Sequence, residues 1–435
     1  MRIMFVGCGH PPDHLASHPV GYTHELAKRL LAQGHYTAAF APSPLSVTGG
    51  RPYSVFRRNC EGVEIYGVAN RDEDGPFDPE ADICHPQCER AFRYAIQHFN
   101  PDVVHFQSLK GFPASLMEVA GEMGRPYVVS LHDHQFICPR RHLLDADGEV
   151  CAGPGDGRKC AQCVEGGRPE KSREEAFAER RRLVLEWLDG AEKVIAPSAT
   201  AADFLAEQEV ACRRVTVLSP ASALAEKLWE KRSETEDEPA VMTFAFSGTV
   251  ARRNAPHLLV EAAKLLRDLK DRVRITIRGQ VEDEAYGREI QAVIRSLGGD
   301  VPEIEFAGHY RPDSLTEIYE GVDVYVSPQI WRNPLSRSTM EALGAGVPVI
   351  ASMIGASSEI IGHGYNGLLF EPGNHIDLAA QMRQMVENPA MVSAMRMNFN
   401  APNPMSWHAN KMAGIYESAA VEREAEAPAA ARKAA

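Results

Sequence analysis

Residues 333–352, NPLSRSTMEALGAGVPVIAS, bring together side chains that can grip an anion. Ser338 and Glu341 have the spacing of a capping box, in which a hydroxyl and a carboxylate close the start of a helix. A helix that starts at a sheet edge presents free backbone N–H groups and the positive end of its dipole, and both suit a diphosphate. Glu341, in the first turn, can accept hydrogen bonds from ribose hydroxyls; the other reading is that it only caps its helix. Gly344 or Gly346 ends the helix, and Val347–Ala351 follows as a buried strand.

Cys138, Cys151, Cys160 and Cys163 form a second constellation, in an insertion spanning 138–165. Cys160 and Cys163 have the C-x-x-C spacing of a zinc half-site. The loop around them is rich in Gly, Asp and Arg, so its order needs an internal tie, which a four-thiolate structural zinc would supply. Free thiols, or a redox or cluster role, are the alternatives. Four cysteines leave no open coordination position, so no catalytic metal is expected there. Cys84 and Cys88, in CHPQC, lack a second half-site nearby and read as free thiols.

The elements that must position these residues alternate. Arg2–Val6, Tyr36–Ala41, Asp102–Phe106, Tyr127–Leu131, Lys193–Ala196 and Arg214–Leu218 read as short β runs, with helical patterns at Thr23–Gln33 and Ala114–Glu122 between them. A second series holds Met242–Phe246, Arg274–Arg278, Ile304–Phe306, Val322–Val326 and Val347–Ala351, with a helix at Pro256–Leu269. Strands alternating with helices predict two doubly wound α/β domains, with ligands at the carboxyl ends of the strands facing a shared cleft. The charged stretch Glu226–Ala240 is the linker candidate, so the expected domains are 1–225 and 240–400. Residues 401–418 are expected to form a helix returning to the first domain, and the Ala-rich 419–435 to be a disordered tail.

Composition excludes several roles. The chain has 435 residues and a formal net charge of -13, which disfavours nucleic acid, whose binding needs Lys and Arg to displace counterions. No run of about 20 apolar residues occurs, so membrane contact is expected to be peripheral at most. The first apolar run is too short for a signal-peptide core and reads as a buried strand, which points to the cytoplasm. Nine cysteines in such a chain point to reduced thiols or a metal. The run Arg180, Arg181, Arg182 among glutamates reads as a solvated helix face, or else as a patch for a membrane surface or an anionic acceptor.

The 333–352 segment resembles the donor-site signature of the retaining glycosyltransferases of family 4, which have two facing Rossmann-like domains (the GT-B type). Phe246–Ser247–Gly248–Thr249, Gly355–Ser358–Glu359 and the run Tyr365–Gly373 are similar to that family too, as are Pro101–His105 and Leu131–His132–Asp133. The resemblance spans roughly residues 1–420, with the motifs in order.

It implies a transferase that moves a sugar from a UDP- or GDP-linked donor to a saccharide, lipid-linked or small-molecule acceptor, with retention of configuration and no catalytic divalent metal. Glu341 would hold the ribose, Asn333 would lie near the donor sugar, and Leu335 and Ser336 would reach sugar and phosphate. Gly248, Thr249 and Gly355 would line the donor site, and His132 would face the anomeric centre. His18 and Gly21, in a loop after the first strand, and Arg140 would border the acceptor, while His10 and His18 otherwise supply ordinary loop polarity. The chain departs from the pattern in its Gly-rich loop, thinned to one glycine, and at three further positions. Asn333 replaces a carboxylate, Thr249 an arginine and Asn254 a lysine, which leaves Arg252, Arg253 and Arg337 as substitute cations. Those departures keep two alternatives open: a catalytically silent nucleotide-sugar-binding partner subunit, and a sugar-nucleotide epimerase on the same fold.

Overall fold

The computed structural model describes the chain except residues 8, 12–19, 46–50, 70–76, 165–171, 212–213, 233–238, 310–315 and 427–435. It divides into two units, Met1–Ala221 with Met405–Ala435, and Ser222–Pro404.

The first unit holds eight strands: β1 (Arg2–Val6), β2 (Tyr36–Ser43), β3 (Val55–Cys60), β4 (Val63–Ala69), β5 (Val103–Phe106), β6 (Tyr127–Ser130), β7 (Lys193–Ala196) and β8 (Val215–Val217). They form one sheet in the order β3-β4-β2-β1-β5-β6-β7-β8, parallel except for the β3–β4 hairpin. VVHF of β5 and YVVS of β6 are buried along their whole length, as strands covered by helices on both faces must be. Chain order reverses direction between β1 and β5, so the crevice beyond their carboxyl ends is the topological switch point.

The second unit holds β9 (Met242–Ser247), β10 (Val273–Arg278), β11 (Glu303–Gly308), β12 (Val324–Ser327), β13 (Val349–Ser352) and β14 (Gly367–Phe370). The sheet is parallel throughout, in the order β11-β10-β9-β12-β13-β14, with its switch point between β9 and β12. Its core gathers Phe244, Ile275, Val326, Ile350, Leu368 and the helix residues Leu259, Leu378 and Met382.

Three expectations need correction. Glu226–Ala240 is not all linker, because Ala223–Lys231 is a helix of the second unit. Ser222 caps it, and Ala225 and Leu228 are buried; the charges lie around one apolar stripe. The tail does not begin at 419. The helix Met405–Glu426 runs past that point, with Tyr416 and Ala419 buried in the first unit's core beside Phe5 and Val128. Of the arginine run, Arg180 is buried and pairs with Asp82 at 2.6 Å, while Arg182 lies in the expected solvated face with Glu179 and Glu186. Among the described residues no helix is long and apolar enough to cross a membrane.

Candidate functional site

In the second unit, three loops leave the carboxyl ends of β9, β12 and β13 and are stitched together. Asn254 donates to the Thr249 carbonyl at 2.8 Å and accepts from the Trp331 indole at 3.2 Å. The Ile330 amide donates to the Arg253 carbonyl at 2.9 Å. Gln329, buried just past β12, accepts from the Asn333 amide at 2.8 Å and donates to Ser357 Oγ at 2.7 Å. The Asn333 carbonyl in turn accepts from the Ala356 amide at 2.9 Å.

Close backbone approach fixes two glycines here. A Cβ on Gly355 would stand 2.5 Å from the Asn333 carbonyl oxygen, and its φ is +61°. A Cβ on Gly279 would stand 1.6 Å from the Gly248 oxygen, so the ends of β9 and β10 press backbone on backbone.

The loop after β12 then becomes the helix Arg337–Gly344. It starts earlier than the capping-box spacing suggests. Ser336 is the N-cap residue, but its hydroxyl bonds Thr339 Oγ1 at 2.6 Å instead of capping an amide. The Arg337 amide bonds the Leu335 carbonyl and the Met340 amide the Ser336 carbonyl, both at 3.1 Å. The amides of Ser338 and Thr339 have no acceptor among the described residues. Such orphan donors at a helix start are what an anion can satisfy.

Glu341 points back from this helix and is buried at 7% exposure. Burial pushes its carboxyl above the usual range, opposed by Arg337 and by hydrogen bonds from Tyr319 and Ser222. Arg337 Nε lies 3.1 Å from Glu341 Oε1 and is half-exposed. The other candidate cations are engaged. Arg253 forms a two-pronged pair with Glu282 at 2.6 and 2.5 Å. Arg252 pairs with Glu289 at 2.8 Å and covers the Tyr286 ring.

In the first unit, His132 follows β6 and is half-buried, with Nε2 2.5 Å from Gln107 Oε1. Gln107 sits at the switch point just past β5, fully buried. Its amide nitrogen reaches His105 Nδ1 at 3.1 Å, and His105 Nδ1 and Nε2 meet Tyr416 OH at 2.7 Å and Ser130 Oγ at 2.8 Å. Tyr22, whose ring contacts His132 edge-on, bonds His408 Nε2 at 2.6 Å. Burial, and secondarily the charge of His408, lowers His132 to about 3; burial lowers His408 to about 4. Both imidazoles are therefore neutral at physiological pH.

The remaining sequence candidates divide. Gly21 stands at the second position of the helix Val20–Ala32, not in a loop, and is exposed. His18 lies outside the described residues. His10 is buried and bonds His24, which reaches Glu61. Arg140 turns into the insertion, donating to the Asp145 carbonyl at 2.6 Å and to Cys163 Sγ at 3.6 Å. Among the described residues no group of three or more His, Cys, Asp or Glu is arranged to hold a metal ion. Cys138, Cys151, Cys160 and Cys163 form no disulfide. Hydrogen bonding ties the insertion through the Leu144–Val150 bridge, the Arg140 contacts and the bond from Gln208 to the Ala152 carbonyl. Gln107 and Gln329 escaped the sequence reading, because only strand order marks their positions as special.

The profile of the family described as "Glycosyl transferases group 1" matches residues 228–403, and that of "Glycosyl transferase 4-like domain" matches residues 19–221. D-inositol 3-phosphate glycosyltransferase of Pseudarthrobacter chlorophenolicus is 28% identical over 223 residues, 48% of this chain and 52% of that protein. The putative glycosyltransferase YtcC of Bacillus subtilis is 25% identical over 150 residues, 34% of this chain and 36% of that one. The chain thus spans about half the length, or less, of these curated relatives. Among solved structures, Anabaena HepE in complex with UDP superposes with a TM-score of 0.62 at 15% identity, covering 97% of this chain and 99% of that one. A glycosyltransferase from Rickettsia africae gives 0.64 at 17%, covering 96% and 98%. At such identities the likeness is one of fold.

Proposed function

We propose, from the premise that this chain belongs to the family-4-like glycosyltransferases of the GT-B fold, that it transfers a sugar from a nucleotide-sugar to a saccharide, lipid-linked or small-molecule acceptor. The observation that carries the reading is the helix start at 337–340. Orphan amides and a buried carboxylate, Glu341, stand together beyond the carboxyl ends of a parallel sheet. In this reading the amides and Arg337 take the diphosphate and Glu341 accepts from the ribose. Asn333, held by Gln329, faces the sugar with Leu335, Ser336, Gly248, Thr249 and Gly355 around it. UDP-linked donors come first to test, because the structural neighbour HepE was solved with UDP.

The chemistry then needs no side-chain nucleophile. The departing diphosphate gains charge as the glycosidic bond breaks, and the amides and Arg337 are aimed where that charge develops. The acceptor hydroxyl attacks from the same face and gives its proton to the leaving phosphate, so configuration is retained. His132, neutral and with its Nε2 proton donated to Gln107 Oε1, offers Nδ1 as an acceptor to a sugar hydroxyl and transfers no proton in the reaction.

One observation favours a second reading, a silent donor-binding partner: Arg252 and Arg253 are already paired with Glu289 and Glu282. Incubation with UDP- and GDP-sugars, with and without candidate acceptors, separates the two. Release of nucleoside diphosphate that is lost in Glu341→Ala supports transfer; saturable nucleotide binding with no release across the donors and acceptors tried supports the silent partner.

A further inference from the structure

Glu341 is held more closely than a residue that only caps its helix needs to be. Within the second unit its carboxylate is met by three groups. Arg337, one turn back on the same helix, brings Nε to 3.1 Å from Oε1. The other two come from outside the 333–352 segment: the hydroxyls of Tyr319 and Ser222 both hydrogen-bond the carboxylate.

Each hydroxyl is itself fixed in place. Tyr319 ends the short turn Glu317–Tyr319 before β12, is 7% exposed, and packs with Leu228, Tyr325 and Ala342 in one apolar cluster. Its phenol stands 3.3 Å from the Ser338 carbonyl, in the first turn of the helix that carries Glu341. A phenol has one proton to donate, and an ionised carboxylate is a stronger acceptor than a carbonyl, so the proton goes to Glu341 whenever that group is charged. Ser222 is the first residue of the second unit and the N-cap of the helix Ala223–Lys231, where its oxygen accepts from the Ala225 amide at 3.2 Å. The cap uses a lone pair and leaves the hydroxyl proton for Glu341. Gly344 sets how near Ser222 comes. A Cβ there would stand 2.8 Å from the Ala225 carbonyl oxygen, so a side chain would drive the helices Ala223–Lys231 and Arg337–Gly344 apart. Two hydroxyl donors on one buried carboxylate fix the plane of the group and favour its ionised form, where burial alone would favour the neutral acid, a poorer acceptor.

We propose that Tyr319 and Ser222 are positioning residues that hold the Glu341 carboxylate turned to accept from a ribose hydroxyl of the donor, so that preference for a ribonucleotide is set from outside the segment that carries the carboxylate. The inference rests on the reading of Glu341 as the ribose acceptor.

The test is calorimetric titration of the full chain with UDP, 2′-deoxy-UDP and 3′-deoxy-UDP. The parent should favour UDP over at least one deoxy probe by about tenfold or more, as for one hydrogen bond to a charged group. Tyr319→Phe and Ser222→Ala should each cut that preference about fivefold, as for one lost hydrogen bond, and leave affinity for the same deoxy probe within about twofold. Ser222→Thr, which keeps both hydroxyl and cap, should restore the preference. In Tyr319→Phe and Ser222→Ala the preference should also fall away at a higher pH than in the parent, because each lost donor lets burial raise the carboxyl further. The deoxy probe, whose phosphates titrate alike, corrects for the ligand. A loss equal for UDP and the deoxy probe would mark a merely structural role and overturn the proposal. So would a preference unchanged in both variants but lost in Glu341→Ala, an outcome that leaves the donor-site reading standing. A parent that shows no such preference, or that binds neither these probes nor their guanosine counterparts, overturns both. Should Ser222→Ala melt early for want of its cap, Tyr319→Phe decides alone.

Discussion

Replacing Glu341 by Gln separates what the carboxylate does for the fold from what it does for a ligand. Glu341 is buried, and burial works against its charge. The neutral amide removes that penalty and gives up the pairing with Arg337, whose side chain is 40% exposed. A pair so screened stabilises by about 0–1 kcal/mol. The two effects oppose, so the ligand-free variant should stay within about 1 kcal/mol of the parent, a shift of a few degrees or less for a chain this size. Nucleotide binding has no such compensation. A hydrogen bond to a charged group contributes about 1.5–3 kcal/mol net, so losing one weakens UDP roughly 10- to 150-fold. Thermal melting of the free protein and calorimetric titration with UDP give the two numbers. The raised carboxyl adds a sign. As pH falls through the raised value the parent protonates and loses nucleotide affinity, and the variant should not follow it. A variant that binds UDP as well as the parent, or one that melts far earlier without ligand, would refute the reasoning.

Gly355→Ala should cost several kcal/mol by chemical denaturation, because it adds contact with the Asn333 backbone to left-handed strain. Gly364→Ala, with φ +78° and open space around it, should cost only the strain of about 1–2 kcal/mol; equal costs would argue against the close approach. Gln107→Leu should leave melting altered by roughly 1–3 kcal/mol and should mix the His132 tautomers in nitrogen-resolved NMR, with kcat falling more than KM rises. An unchanged tautomer would remove Gln107 as its positioning residue. His408 and His132 are held at about 4 and about 3 in the folded chain against about 6.5 unfolded. The unfolded chain therefore binds more protons below about pH 6.5, and stability is full above that value and lost as pH falls towards the folded values. By about pH 5 each should have cost roughly 2 kcal/mol, to be read from denaturant midpoints; His408→Gln should flatten the fall, and an unaltered slope would contradict the neutral assignment.

Strands buried on both faces were the most legible part of the chain. A run such as KVIA carries its own evidence, and Lys193–Ala196 and Arg2–Val6 fall where the sequence puts them. The β3–β4 hairpin escaped because VFRRNC is an edge strand, half solvent-facing, with two arginines that break the apolar run. Helix Ala223–Lys231 escaped for a related reason: one buried stripe of Ala225 and Leu228 is outvoted by its charges in any count of composition. The tail misled in the opposite way, since Ala419 looks dispensable until the helix is seen to pack it at 0% exposure.

Site residues obey a different logic from core residues. Glu341 and His132 stood out as candidates because their types suit a donor sugar and nucleotide and their neighbours resemble a signature. Gln107 and Gln329 have unremarkable types, yet each is buried within two residues of the end of a switch-point strand and holds a candidate ligand-facing side chain, His132 or Asn333, within 2.5–2.8 Å. An amide suits that place because it offers an acceptor to one neighbour and a donor to another: Gln107 faces His132 and His105, and Gln329 faces Asn333 and Ser357. Neither glutamine brings a charge into a buried position, where one would shift the protonation of its neighbours. The two units thus solve one positioning problem in the same way, and the place to look for such residues is the switch point in the strand order, which no local motif encodes.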